Sequence, residues 1–436
     1  MRVKAFLQNA LLRGSALVAV GRVGAMVFGL GINMILARLL SLDTLGAYFL
    51  ISSVTQVGGL VAMGGTSQSA VPVLAGRKDD EIRPALRGIT LYGMLAIALC
   101  GTLVFVVFDH IAAAIGVQDV SRGVAVLVAL WLVARSAAQF IAHLLRAFGR
   151  MALFGLLETF LFNAMFFAVL AGYGLAGARP GFEEIVIATT IIASLGVPIA
   201  LIPLWRVTAR LPQSSGVDLR AAVSVSLPLW VMVLANTALA DAHLWITGAL
   251  GSSESAALFG AALRVVRLLS MPLLAVNMAI GPRTAQLWRQ GRKRELEHLM
   301  RVSATGVMAV SLVVVSGLLI AGPITLRLLF GPDFIAAWPA FLILLAGQTL
   351  NVSTGSPVLL MSVTSAQRQV MVFSLISGVI GICLSLLLGR SDPVSGVAVG
   401  SAVAVVLQNL FAVYYCRVHL GIQTLPALLP SAWRGR

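Results

Sequence analysis

Six ionisable side chains lie inside long apolar stretches of this sequence, where a charge is costly. Placing a charge at the centre of a membrane helix costs roughly 2.5–3.5 kcal/mol, so each such residue is a candidate for function. Guanidinium groups bind phosphate oxygens in pairs and stay protonated, whereas a buried carboxylate can hold a coupling proton or cation. The six residues are Arg22, Arg135, Glu158, Asp241, Arg264 and Arg267.

Each of the two acids has an arginine at a matching depth. In an antiparallel helical hairpin, residues equally far from the turn lie at one level. Asp241 and Arg264 are equally far from a turn near residues 252–253. Arg135 and Glu158 are nearly so from a turn near 146–149. Each pair is predicted either to form a buried ion pair, which adds little net stability, or to serve ion coupling.

Two of the arginines, Arg22 and Arg267, have no obvious acidic partner in the neighbouring apolar stretches. Arg267 lies three residues, about one helical turn, beyond Arg264. Excess positive charge in a membrane suits a diphosphate, so Arg22, Arg267 and Arg264 are predicted to bind one. The alternative is that these side chains reach the membrane surface or contact backbone carbonyls. Arg22 also lies beside a row of small residues that allows close helix approach, Gly21, Ala25 and Gly29.

The composition places these residues in a membrane protein. Of the 436 residues, 59% are hydrophobic and 11% are charged, whereas a soluble domain carries about a quarter of charged residues. Apolar stretches of roughly 20 residues, the length that crosses hydrocarbon as a helix, separate short bursts of charge. The sequence predicts an all-α integral membrane protein with about twelve spans, near 14–37, 45–70, 88–108, 122–144, 152–172, 183–206, 221–249, 256–282, 302–328, 334–361, 369–389 and 394–416.

The basic residues outside the spans are divided unequally between the two sides of the membrane. Of these Lys and Arg residues, 22 fall in loops on the side of both termini and 5 in the opposite loops. Because basic loops stay inside, both termini are predicted to be cytoplasmic. The basic segment 283–301 is predicted to be an amphipathic helix at the interface or a solvated loop.

Two short sequence patterns each occur twice, and the two repeats are separated by almost the same number of residues. This indicates an internal duplication. The segment 37–44 recurs at 248–255, 211 residues further on, and Gly-Arg-Lys at 76–78 recurs at 291–293, 215 residues further on. Each half then contains six spans, an even number, so the halves run parallel about an axis along the membrane normal. The predicted lobes are 1–212 and 213–436, which are expected to enclose a cleft that opens to either side.

Several classes of function are excluded by what the sequence lacks. The net charge of +15 lies at the ends of apolar spans, where it meets lipid head groups, so we expect no nucleic-acid partner. No Gly-Lys-Ser/Thr phosphate loop and no His/Cys/Asp cluster with ligand spacing occurs. We therefore expect no enzymatic activity, no catalytic residues, no metal and no cofactor.

Three segments resemble a known family of membrane proteins: Ile32–Ser53, Leu250–Pro272 and Leu326–Leu344. They resemble Wzx-type polysaccharide and O-antigen flippases, in the multidrug/oligosaccharidyl-lipid/polysaccharide exporter superfamily. The resemblance implies two six-helix lobes in the bacterial cytoplasmic (inner) membrane, with a MATE-like architecture. It also implies a polyprenyl-diphosphate-linked oligosaccharide as cargo for surface or exopolysaccharide assembly. Membrane lipids, glycosyltransferases and a polysaccharide polymerase are the partners implied.

Other functions remain open at this stage. Cation-coupled efflux of drugs or small molecules would use the same fold, although acidic residues would suit it better than the four arginines and two acids present here. A membrane scaffold that assembles glycan enzymes without transporting anything is a further alternative. A major-facilitator transporter is disfavoured, because the loop Ala75–Pro84 lacks that family's Gly-x-x-x-Asp-Arg-x-Gly-Arg pattern.

Overall fold

The computed structural model describes residues 21, 23–74, 77–117 and 120–427. Helices account for nearly all of these residues, and none of them is in a strand. Ten apolar helical stretches in the described chain are long enough to cross a membrane. Two further helices, Val23–Leu39 and Leu219–Leu250, occupy the positions predicted for spans one and seven. The predicted all-helical, polytopic membrane fold is confirmed.

The chain divides into two compact units between Ala238 and Leu239. The first unit contains the N-terminal helices and the beginning of α9. Its helices are α1 (Val23–Leu39), α2 (Leu42–Ala62), α3 (Thr66–Leu74), α4 (Asp79–Ala114), α5 (Arg122–Ala147), α6 (Met151–Gly155), α7 (Leu161–Leu175), α8 (Phe182–Thr208) and α9 (Leu219–Leu250).

The second unit contains the end of α9 and the remaining helices. These are α10 (Ser253–Arg267), α11 (Met271–Arg289), α12 (Lys293–Ala321), α13 (Ile324–Phe330), α14 (Trp338–Ser353), α15 (Pro357–Val363), α16 (Gln367–Leu388) and α17 (Ser395–Tyr415). The basic segment 283–301 is helical on both sides of a short turn, so it is neither a loop nor a separate interfacial helix. Because the second part of this segment is helical and continuous with span nine, α12 begins at Lys293, nine residues before the start predicted for that span.

In the first unit, small residues let α1 approach the chain around α7 closely. A Cβ atom added to Gly24 would lie 2.7 Å from the ring of Phe160, and one added to Gly21 would lie 2.8 Å from the Gly155 carbonyl oxygen. The amide of Asn163 donates a 2.8 Å hydrogen bond to the Ala25 carbonyl. The close approach predicted from the small-residue row of span one is confirmed.

The connection between α8 and α9 is fastened to the first unit. Asp218 forms a 2.7 Å ion pair with Arg77, and its backbone N–H donates to the Pro84 carbonyl. The hydrogen bond from Arg77, helped by the backbone N–H of Ala221, holds the pKa of Asp218 below its usual value. Further along, the indole N–H of Trp230 donates to the Leu60 carbonyl. The start of α9 therefore belongs to the first unit. The lobe boundary predicted at 212/213 concerns the internal sequence repeat and stays a prediction.

In the second unit, α17 packs against both α14 and α16 through residues with almost no side chain. A Cβ atom added to Gly400 on α17 would lie 2.4 Å from the Gly381 carbonyl oxygen and 2.2 Å from Ser385 Oγ, both on α16. On the other face, one added to Gly347 of α14 would lie 2.8 Å from the Cβ of Ala402. These helix backbones can approach so closely only because the contacting residues are glycine, alanine and serine.

The second span is interrupted in each unit. In the first unit, α2 and α3 are separated at Met63–Gly65, where Gly64 and Gly65 have positive φ angles of 52° and 82°. In the second unit, a 3-10 turn at Leu268–Ser270 separates α10 from α11. If the two units arose by duplication, we expect the corresponding span to be interrupted in both of them, as it is here.

Candidate functional site

One half-buried charge of the first unit is Arg135, in the middle of α5. Its guanidinium donates a 2.9 Å hydrogen bond to the backbone carbonyl of Glu158 and lies 4.5 Å from the ring centroid of Phe162. Glu158 belongs to a single π turn, Leu156–Phe160, inserted between α6 and α7. A π turn displaces backbone groups from the regular helical hydrogen-bond ladder, so a side chain can approach them. The predicted proximity of Arg135 and Glu158 is confirmed, with the backbone carbonyl as the acceptor.

The space beside Arg135 is too small for a ligand. The cavity that it lines together with α7 and α8 has a volume of about 10 Å³, and Phe162, Ile192 and Gly196 close it. This volume is at the lower limit for one water molecule. A guanidinium held by a carbonyl and an aromatic face, without room for cargo, favours structural pairing of Arg135 over a role in binding.

In the second unit, Asp241 has an arginine neighbour that the sequence did not predict. Asp241 on α9 lies 3.8 Å from Nη2 of Arg267 on α10, so Arg267 does have an acidic partner. Arg264, the partner predicted for Asp241, donates a 3.0 Å hydrogen bond to the Gly260 carbonyl of its own helix. Depth matching missed this because an arginine side chain spans more than one helical turn. The prediction that Arg267 lacks an acidic partner was wrong, whereas the predicted pairing of Asp241 with Arg264 stays a prediction.

Arg267 keeps much of its binding capacity despite this contact. About half of its side chain is exposed, 52% against 13% for Asp241. The 3.8 Å separation is longer than a hydrogen bond, and a guanidinium has five N–H donors, most of which a single carboxylate leaves accessible. The structure therefore leaves Arg267 able to accept a second anion. Arg22, the other predicted phosphate ligand, lies outside the described residues.

A buried histidine two residues beyond Asp241 was given no functional role in the sequence prediction. His243 is 3% exposed, and its Nδ1 lies 2.9 Å from Ser385 Oγ on α16. Ser385 in turn donates a 3.4 Å hydrogen bond to the Val397 carbonyl on α17. The signal was present in the Gly- and Ser-rich sequence of α16, which allows a polar side chain from a neighbouring helix to approach. This chain of hydrogen bonds joins three helices of the second unit.

Replacing His243 with alanine is expected to destabilise the second unit. The change removes the Ser385 partner and leaves a cavity, which together cost about 2–4 kcal/mol. Thermal unfolding of the full chain in detergent measures the effect as a lowered transition temperature. His110→Ala, at an exposed position on α4, is the control and should unfold like the unchanged protein. Equal transition temperatures for both variants would show that the His243–Ser385 contact stabilises nothing.

Comparison with known proteins adds the fold family. No protein-family model and no curated protein matches the chain. Among solved structures, an inward-facing multidrug resistance MATE family transporter of the MOP superfamily matches with a TM-score of 0.73 and 12% identity, over 92% of this chain and 98% of the other. The lipid II flippase MurJ in an inward closed conformation matches with a TM-score of 0.70 and 12% identity, over 92% and 88%.

A third solved structure is a MOP superfamily transporter from Pyrococcus furiosus Vc1 (DSM3638), described as having a reversed polarity of its binding pocket. It matches with a TM-score of 0.60 and 14% identity, over 94% of this chain and 95% of the other. Identities this low establish the fold and nothing finer. The chain is a multi-pass, all-helical membrane protein with the fold of the MOP superfamily transporters.

Proposed function

We propose that this chain is a flippase that moves a polyprenyl-diphosphate-linked oligosaccharide across the bacterial cytoplasmic membrane by alternating access. The observation that carries the proposal is Arg267, a guanidinium within a membrane span that is half exposed and only loosely held by Asp241. A diphosphate is the anion that such a group binds best, because two phosphate oxygens match its paired N–H donors.

The charge balance of the spans supports an anionic cargo. The six intramembrane ionisable residues comprise four arginines and two acids. A site for cationic drugs would need an excess of carboxylates, which this chain does not provide. Among the structural relatives, MurJ is a lipid II flippase, and the Pyrococcus furiosus transporter is described as differing in function because the polarity of its pocket is reversed. Pocket polarity is therefore a reasonable guide to cargo within this fold.

Asp241 provides a way to release the cargo. In the absence of cargo its carboxylate occupies one side of Arg267. An incoming diphosphate carries more negative charge and displaces that carboxylate, and the carboxylate returns when the cargo leaves. In this scheme Arg264 and Arg22 assist in binding the phosphates, the polyprenyl chain stays in the bilayer, and the driving force comes from an ion gradient or from removal of product.

The remaining parts of the proposal follow from the cargo. Both termini lie in the cytoplasm, where the lipid-linked oligosaccharide is made, as the distribution of basic residues predicts. Glycosyltransferases supply the cargo, and a polymerase consumes it on the outer side. The glycan then enters a surface polysaccharide or an exopolysaccharide.

The test is a flipping assay with the purified full chain in proteoliposomes. A polyprenyl-diphosphate oligosaccharide carrying a fluorophore is placed in both leaflets, and a membrane-impermeant reductant quenches the outer one. A flippase makes quenching exceed the half observed in protein-free vesicles. A fluorescent organic cation serves as the second substrate. Transport of the cation without movement of the glycolipid would establish drug efflux, and movement of neither would leave only a scaffold role.

A further inference from the structure

A second charged pocket lies in the second unit, away from the residues discussed so far. It has a volume of about 250 Å³ and is lined by Arg294, Glu297, His298, Arg301, Val302 and Ala427. Three of these residues, Arg294, His298 and Arg301, lie at positions i, i+4 and i+7 of α12. That spacing places their side chains on one face of the helix.

The pocket combines donors for a phosphate with one carboxylate. The Nη1 of Arg301 lies 3.8 Å from a carboxylate oxygen of Glu297. The Nε–H of Arg301 is buried and has no hydrogen-bond partner within the described part of the chain. Because that atom is not accessible to solvent, the donors that a ligand can reach are the terminal N–H groups of the guanidinium. Two guanidinium groups, an imidazole and a carboxylate thus face one small space.

The opposite wall of the pocket is formed by the end of the described chain. Ala427 donates a 3.0 Å backbone hydrogen bond to Thr305 Oγ1 on α12, and Lys293 Nζ donates to the Leu420 carbonyl at 3.3 Å. Between these anchors, Ile422 and Thr424 are buried against the unit. The segment 421–427 is therefore held along α12, and the pocket has a defined shape.

The pocket lies where α12 emerges from the hydrocarbon. From Val302 to Ala321 the helix is almost entirely apolar, and 20 residues of helix extend about 30 Å, the thickness of the hydrocarbon core. On the face shared with His298 and Val302, this stretch is left uncovered, with Val313 74% and Ile320 87% exposed. An exposed apolar strip thus continues directly from a charged pocket at the depth of lipid head groups.

We propose that this pocket binds the head group of an aminophospholipid, phosphatidylethanolamine, with its acyl chains along the exposed strip of α12. Arg294, His298 and Arg301 bind the phosphate, and Glu297 accepts hydrogen bonds from the ammonium group. The carboxylate selects against a purely anionic head group, which it would repel. The space is adequate, because 250 Å³ is the volume of about eight water molecules and phosphoethanolamine has about as many non-hydrogen atoms.

The experiment measures lipid binding to the delipidated full chain by native mass spectrometry, with thermal unfolding as a second readout. Phosphatidylethanolamine, phosphatidylcholine and phosphatidylglycerol with identical acyl chains are compared, together with free phosphoethanolamine. We expect phosphatidylethanolamine to bind about tenfold more tightly than the other two lipids, because only it offers both a phosphate and an ammonium group with N–H donors. Equal binding of the three lipids would refute the site, and equal binding of free phosphoethanolamine would refute the role of the strip.

Variants of the pocket test the assignment of each charge. Glu297→Gln should remove the preference for phosphatidylethanolamine over phosphatidylglycerol, while Arg294→Gln should weaken binding of both lipids about tenfold. Arg289→Gln is the matched control, since Arg289 is an exposed arginine near the same end of the adjacent helix α11. A control variant that lost lipid binding as strongly as Arg294→Gln would show general attraction to the membrane surface and overturn the proposal.

Discussion

Replacing Gly400 with leucine is expected to leave little or no folded protein. The first side-chain atom would lie 2.4 Å from the Gly381 carbonyl oxygen and 2.2 Å from Ser385 Oγ, distances that real Cβ atoms do not adopt. The Gly381 carbonyl oxygen and the Ser385 backbone nitrogen, which would lie 2.7 Å away, cannot move aside, because both belong to the backbone of α16. The two helices would have to separate, and the cost is about 3 kcal/mol or more, a large part of the total stability of a typical domain.

The matched control for this substitution is Gly317→Leu. Gly317 is also a helical glycine in a membrane span, but no atom lies within 4 Å of the Cβ position there. Size-exclusion chromatography of the detergent-solubilised protein should give a single peak for Gly317→Leu and aggregated or absent material for Gly400→Leu. Two variants that elute alike would mean that the α16–α17 interface tolerates a wider spacing than the structure shows.

Arg267→Gln should reduce flipping of the lipid-linked oligosaccharide by about 10- to 100-fold. A charge-assisted hydrogen bond contributes about 1.5–3 kcal/mol, and each 1.4 kcal/mol corresponds to a factor of ten. Glutamine retains the length and polarity of the side chain but loses the charge and the paired donors. The measurement is the initial rate of quenching in the proteoliposome assay at equal protein content. A rate within a factor of two of the unchanged protein would remove Arg267 from the cargo site.

Asp241→Asn tests whether Arg267 binds cargo or only pairs with Asp241. If Arg267 serves mainly to neutralise Asp241, the asparagine variant removes the acidic partner of the guanidinium, and flipping falls together with thermal stability. If Asp241 competes with the cargo, the variant binds a soluble diphosphate analogue more tightly while retaining its stability. We expect the second result, because Arg267 is half exposed and does not depend on the carboxylate for burial. For Arg267→Gln, the variant Arg289→Gln again provides the control for a general loss of positive charge.

The spans could be predicted from the sequence because hydrocarbon imposes a length and a composition on each helix separately. The row of small residues in span one and the level of Arg135 opposite Glu158 depended on local spacing alone. Because local spacing can be read directly from the sequence, these two predictions were confirmed. Most span boundaries fell within a few residues of the helices observed. The largest differences at a helix start are in α4 and α12, each of which begins nine residues early because a charged helical extension precedes the apolar stretch.

The contact between Arg267 and Asp241 and the role of His243 could not be predicted in the same way. Both depend on how far each helix is rotated about its axis, and the low amphipathicity of helices buried in a membrane leaves that rotation unspecified. Matching two residues by depth gives only their position along the membrane normal, so it could not show that Arg267, one turn beyond Arg264, approaches Asp241. His243 contacts a helix more than a hundred residues further along the chain, at Ser385. Its binding partner follows only from the tertiary arrangement.

The fastening of the α8–α9 connection has a practical consequence for dividing this protein into two co-expressed fragments. A cut at 212/213, where the repeat would suggest it, leaves Asp218 and Ser226 on one polypeptide and their partners Arg77 and Ser69 on the other. Those bonds would then have to form between separate molecules at finite concentration. A cut in the short turn after Leu250 keeps both pairs on one polypeptide, although it severs the carboxyl end of α9 from α10.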